Sequence, residues 1–392
     1  MTTSASPASI LPTRELLLTL GQGGQNPEPI GPPVINSFSG TFAQGNEITL
    51  SGSFSAEMNG QVEYITGDPS RNGELADKLV GFDGNRLPSG YSGLDTYRYD
   101  TTRSFSKSGA SLKAKFVDGD QQSFLAGNQN IFLPARSKKL FISFHAYLNL
   151  DNWDITEYGP QVKLSRLCSR VGTYNGKPQL HLQIISVDDR YNPAIRLEAW
   201  DNDKGTFIDP DTGADWSRSA APRELNKNWN RFVMYGEVPD PITNSNGRRF
   251  GRIIEHRTNR QIPVEHPYIA SAGDANPSLS WLAPQAHSTE VEYGNEDFAY
   301  AMLPDGQLGI PGMEAWVDCI YVNNTAERVE LGNAPIMDDC TKLVVQKQIS
   351  RVPADIIFEV EEGNFTPADS IYAFVVNDDT QHSEGVLIRG GI

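Results

Sequence analysis

PVINSFSGTFAQGNEITLSGSF, residues 33–54, is the stretch from which the fold can be worked outward. Ile35, Phe38 and Phe42 precede a Gln-Gly-Asn turn at 44–46, and Ile48, Leu50 and Phe54 follow it. Apolar residues spaced this way on both sides of a turn predict two antiparallel strands, each half-buried. A two-stranded ribbon is only marginally stable alone, and nothing immediately downstream would cover it. Suitable strands lie at the far end of the chain: RVELG from Arg328, then 341–348, 355–360, 370–376 and 385–389. The ribbon and these strands are expected to build one discontinuous sandwich from residues 34–55 and 326–392. The intervening residues 56–325 are then a second domain inserted in one of its loops, and residues 1–33 an extended N-terminal arm.

The length of 392 residues exceeds what one hydrophobic core usually serves, in keeping with more than one domain. Gly 35, Pro 25 and 38% hydrophobic residues, with frequent Asn, Asp and Ser, suit an all-β chain rich in turns. The best helical candidate, TRELLLTL at 13–20, is short and stands outside either domain. GQGGQNPEPIGPP closes the arm with residues that support neither helix nor sheet. Its apolar patch, Leu16, Leu17, Leu18 and Leu20, is expected to dock on another subunit of a larger assembly.

Charge and hydropathy exclude several function classes. With 33 Lys+Arg against 49 Asp+Glu the net charge is −16, which repels nucleic acid from the molecule as a whole. No apolar run is long enough for a membrane span, and the N-terminus lacks the basic start and apolar core of a signal peptide. Cys168, Cys319 and Cys340 have neither metal nor redox spacing, and are read as reduced, buried, small hydrophobes, a Cys319–Cys340 bridge being the alternative.

Within the insert, KKLFISFHAYLNL (138–150) is the strongest strand. Alternation puts Leu140, Ile142, Phe144, Ala146 and Leu148 on one face and Phe141, Ser143, His145, Tyr147 and Asn149 on the other, the second expected to be a solvated binding face. Further strands at 161–168, 179–187, 194–200, 230–238, 249–256 and 315–322 predict a β-sandwich of jelly-roll type. The candidate carbohydrate contacts are His145 and Tyr147, His181 and Gln183 on one strand, Arg196, Glu198 and Trp200 on the next, and Tyr235 and His256 later. His, Gln, Arg and Tyr hydrogen-bond sugar hydroxyls or carboxylates, and an indole stacks on a sugar ring. Trp229 and Trp316 read as core residues. The basic hairpin NGRRFGRIIEHR (246–257) reads either as a site for an acidic partner or as a solvated edge strand guarded by charge.

Asp201, Asp203, Asp209 and Asp211 fall in DNDKGTFIDPDTGAD, a Gly-containing loop whose carboxylate spacing has the chemistry of a structural calcium site. It lacks the closing Glu of an EF-hand, so a solvated acidic loop is the preferred reading and no cofactor is expected. G-x-S-x-G and phosphate-loop motifs are absent.

PVINSFSGTFAQGNEITLSGSF with RVELGNAP, IIFEVEEGNF and SIYAFVVNDD resembles the immunoglobulin-like IPT/TIG modules, from which it departs by its discontinuity. KKLFISFHAYLNLDNW, QVKLSRL, NWNRFVMYGEV and MEAWVDCIYVNNTAERVELG resemble strands of concanavalin A-like lectin/glucanase jelly rolls. A jelly roll inserted in an Ig-like module resembles proteins of tailed bacteriophages. That resemblance implies a non-enzymatic virion protein, assembled in the host cytoplasm as a head decoration or tail-associated component, with other virion proteins as partners and cell-surface or environmental polysaccharide as a ligand. The alternative is a carbohydrate-active enzyme on the jelly roll. QLHLQI departs from the Gln-Ile-His of alginate lyases, AIRLEAW matches their Arg-x-Glu-Leu only at Arg196 and Glu198, and no paired-carboxylate motif for glycoside hydrolysis accompanies Glu198.

Overall fold

The computed structural model describes residues 31–54, 63–65, 98–107, 109–115, 130–151, 161–168, 179–186, 193–201, 206–208, 225–237, 248–255, 260–263, 298–307, 314–378 and 381–392. Their architecture is all-β: four sheets, every strand pairing antiparallel, and one short 3-10 turn at Met337–Asp339. The two larger sheets form a jelly-roll sandwich. One runs Arg260–Pro263, Arg248–Glu255, Trp229–Glu237, Lys139–Asn149, Glu314–Asn323, Ser111–Lys115, Arg98–Asp100, with Glu63–Ile65 also on Glu314–Asn323. The other runs Thr206–Ile208, Pro193–Asp201, Gln179–Ser186, Gln161–Cys168, Phe298–Met302, Asn130–Ser137, with Asp305–Gln307 also on Gln161–Cys168. Between them lie the buried side chains of Leu140, Ile142, Phe144, Phe232, Met234, Leu164 and Leu167, with Phe144 and Phe232 stacked at 5.4 Å.

The ends of the chain meet in two four-stranded sheets. Val34–Gly40, Glu47–Ser53, Asp355–Glu359 and Lys347–Arg351 form the first; Leu343–Val345, Arg328–Gly332, Ile371–Val376 and Val386–Arg389 form the second. The 33–54 ribbon is covered as its pattern demands, since Ile48 and Leu50 pack with Ile356, Phe358, Val329, Leu331, Ala373 and Val375 in one core. Gly40, at φ +114°, ends the first strand where a Cβ would come within 2.5 Å of the Glu47 carbonyl oxygen.

The stretch 341–348, expected as one strand, is two. Leu343–Val345 belongs to one sheet and Lys347–Arg351 to the other, and the chain changes layers at Gln346. The buried Gln346 amide makes the change tolerable: Nε2 donates to the carbonyls of Val344 (2.9 Å) and Glu361 (3.2 Å), and Oε1 accepts from the Glu361 amide (2.7 Å). Buried polar groups released from a ladder need such partners.

The second face of Lys139–Asn149 differs from its expected exposure. Phe141, Ser143 and His145 are all buried, because the terminal sandwich packs on this side of the eight-stranded sheet and shares a core with Phe141, Val233, Tyr235 and Tyr321. The basic strand Arg248–Glu255 pairs along its length with Trp229–Glu237, and its second half, from Arg252 to Glu255, is also flanked by Arg260–Pro263.

Candidate functional site

With one face of the eight-stranded sheet against the jelly-roll core and much of the other under the terminal sandwich, the seven-stranded sheet is the better place for a ligand. Its pairings sort residue types into alternating rows. Leu167–Leu180–Ala199–Ala301, Ser165–Leu182–Leu197 and Val162–Ile184–Ile195–Gly306 are the apolar rows. Between them run Trp200–Gln179–Cys168–Tyr300, Glu198–His181–Arg166–Met302 and Arg196–Gln183–Lys163–Asp305. Phe207 and Phe132 extend the first of these polar rows at its two ends. Neighbouring strands lie about 4.8 Å apart and alternate positions along a strand about 6.6 Å. Charged, amide and aromatic residues thus hold neighbouring register positions on this sheet.

Of the sequence candidates, His181, Gln183, Arg196, Glu198 and Trp200 come together in these rows, His181 directly opposite Glu198 and Gln183 opposite Arg196. Lys163, Arg166, Tyr300 and Asp305 join them and were not singled out from the sequence. Strict alternation separates Lys163 from Arg166. A bulge between Lys163 and Ser165 shifts the register, so that both take positions in polar rows. Arg166 is only 3% exposed, so this part of the row is enclosed.

The other candidates are placed differently. His145 is buried, its ring stacked on Phe105 at 3.7 Å and 12°, which takes it out of reach of a ligand in solution. Phe105 is held there because the Asp318 carboxylate accepts from the Phe105 (3.2 Å) and Ser106 (2.9 Å) amides. Tyr147 is partly buried, edge-on to Trp229 (6.0 Å) and Trp316 (5.5 Å), with the Arg103 guanidinium 4.1 Å above its ring. Tyr235 is buried, and its hydroxyl bonds Glu237 Oε2 at 3.1 Å. Asp201 ends the strand Pro193–Asp201. His256, Asp203, Asp209, Asp211, Leu16, Leu17, Leu18 and Leu20 lie outside the described residues. Among the described residues no group of three or more His, Cys, Asp or Glu is arranged to hold a metal ion. Cys319 and Cys340 are free and buried, and burial pushes the Cys340 thiol up to about 11.

Among the described residues a buried cluster of charges lies away from these rows, under the terminal sandwich. Arg231, from the eight-stranded sheet, meets Glu330 through two hydrogen bonds of 2.5 and 3.0 Å and donates to Ser143 Oγ at 2.9 Å. Arg328 also pairs with Glu330 and lies 4.8 Å from the Phe141 ring. Burial alone would raise the Glu330 pKa, but the two guanidinium groups bring it down to about 2. Nearby, the Tyr321 hydroxyl donates to the Glu327 carbonyl (3.1 Å) and accepts from Gln348 Nε2 (2.9 Å) and Asn323 Nδ2 (3.1 Å).

Comparison with known proteins found no matching family model and no matching curated protein. Among solved structures the chain is similar to a cellulose-induced protein, Cip1, at 12% identity over 61% of this chain and 90% of that one, TM-score 0.36. Alginate lyase vAL-1 from Chlorella virus matches at 6% identity over 59% and 91%, TM-score 0.32. The exolytic alginate lyase AlyA5 from Zobellia galactanivorans matches at 7% over 61% and 90%, TM-score 0.30.

Proposed function

We propose that this protein is a non-enzymatic polysaccharide-binding jelly roll, mounted by its terminal sandwich and arm in a larger assembly, which we take to be the particle of a tailed phage. The observation that carries the binding half is the set of alternating rows on the seven-stranded sheet, where Trp200 and Tyr300 share one row and the next two hold His181, Arg166, Gln183, Arg196 and Lys163 together with Glu198, Met302 and Asp305. Aromatic residues beside hydrogen-bonding and cationic ones suit a polyhydroxylated, carboxylate-bearing chain. The test is a glycan array with full-length protein, followed by titration of the hits. Trp200→Ala and Arg196→Ala should weaken binding at least about tenfold, each by the loss of a stacking or charge-assisted contact. Retained binding in both variants overturns the assignment of this sheet. The assembly half rests on the two-module resemblance and on Leu16, Leu17, Leu18 and Leu20 in the arm. Deleting residues 1–33 should abolish incorporation into the particle without unfolding the remainder.

A second reading uses the same rows. His181 stands between Glu198 and Arg166, with Gln183 and Arg196 in the next row, an arrangement with a general base beside groups that hold a carboxylate. A polysaccharide lyase so built would release unsaturated sugars detectable by ultraviolet absorbance, and His181→Ala would abolish the signal. Binding without product supports the first reading.

A further inference from the structure

The four-stranded sheet that opens the chain has two edges of different construction. Lys347–Arg351 forms one, with cationic residues at both ends and a bulge between Gln348 and Ser350. Charge and irregularity are the usual guards against strand addition. Val34–Gly40 forms the other. Its sequence, VINSFSG, has no charge, no Pro and no interior Gly, and among the described residues it pairs on one side only, with Glu47–Ser53. A bulge between Ile35 and Ser37 leaves Ser37–Gly40 in regular register. Val34 is 51% and Phe38 37% exposed. The second four-stranded sheet ends on the same flank: its edge strand Val386–Arg389 lies against Val34–Gly40 and shows Leu387 47% exposed. Both layers therefore stop together, with strand edges and three exposed apolar side chains side by side.

We propose that this flank is where a second copy of the chain docks, Val34–Gly40 pairing antiparallel with its counterpart so that the sheet continues through both molecules. A two-fold contact requires a self-complementary patch. An uncharged strand meets that requirement within a chain of net charge −16, whereas a charged partner strand would find no complement on it. Antiparallel pairing about Phe38, within the regular part of the strand, sets Phe38 opposite its own copy and Ser37 opposite Ser39, so no like charges face each other.

Light scattering after size exclusion, on the full chain over a range of concentrations, tests this. The wild type should show a concentration-dependent dimer. Phe38→Lys, by opposing like charges across the two-fold, and Val34→Lys, by setting a charge on an uncharged flank that offers it no complement, should each raise its dissociation constant at least about tenfold. Ile349→Lys, on the guarded edge, should leave it unchanged. Circular dichroism establishes that each variant folds, and Val34→Lys decides if Phe38→Lys does not. A wild type that stays monomeric overturns the proposal. So does a dimer unmoved by either edge variant, or one weakened equally by Ile349→Lys.

Discussion

Arg231 and Glu330 show how one pair of side chains joins sheets that are distant in sequence. Both are buried; without Glu330 the Arg231 charge is uncompensated, and without Arg231 the Glu330 carboxylate keeps only Arg328. Arg231→Ala or Glu330→Ala should destabilise the fold by about 3–5 kcal/mol in urea unfolding, while an Arg231→Met, Arg328→Met, Glu330→Leu triple variant, which removes every charge of the cluster, should recover much of the loss. The pH dependence follows from the sign of the shift. The folded Glu330 carboxyl titrates at about 2 against an ordinary value of 4.5, so its contribution is complete above the ordinary value and is lost as pH falls toward 2. Acid titration of stability should therefore show a decline through that window in the wild type that the triple variant lacks. Tyr321 behaves in the opposite direction: burial, only partly offset by its Gln348 and Asn323 hydrogen bonds, pushes its hydroxyl up to about 12, so it remains a neutral donor. Tyr321→Phe takes the acceptor from Gln348 Nε2 and one bond each from the Glu327 carbonyl and the Asn323 amide, which still bond each other at 3.2 Å, and should cost about 1–3 kcal/mol. None of these roles was legible beforehand, since Arg231, Glu330 and Tyr321 carry no local pattern that names a partner in another sheet.

Among elements, the 33–54 ribbon was legible because a period of two on each side of a turn leaves little choice of structure. Gly40 and Gly45 divide the work of its turn. Gly40→Ala should destabilise by more than about 1 kcal/mol, as its φ of +114° and the nearby Glu47 carbonyl both oppose a side chain. Gly45→Asn should be close to neutral, because Asn tolerates its φ of +79° and nothing lies within 4 Å. The break at Gln346 was not legible: TKLVVQKQ alternates well enough to read as one strand, and only the packing of two layers against each other requires the crossing. The bulge in Gln161–Cys168 belongs to the same class. It displaces one residue, and with that displacement Lys163 and Arg166 join the polar rows beside His181 and Gln183.

For the jelly roll and the terminal sandwich, a shared core and the buried Arg231–Glu330 pair between them imply that the two unfold together. Calorimetry of the full chain should show one transition for them, and a 56–325 fragment should bind a hydrophobic dye, because Phe141, Val233, Tyr235 and Tyr321 lose the side chains that cover them. The sequence by itself determined the all-β class, and its alternation put His181 and Gln183 on one strand and Arg196, Glu198 and Trp200 on the next in sequence. Each of these follows from periodicity and turn chemistry, which act over a few residues. Tertiary structure alone decided that the His145 row is buried and that Lys163 and Arg166 join the candidate site. It also decided that Arg231 pairs with Glu330. The physical reason is that alternation assigns a residue to one of two faces, whereas what lies against that face depends on contacts between segments hundreds of residues apart, for which no local pattern codes.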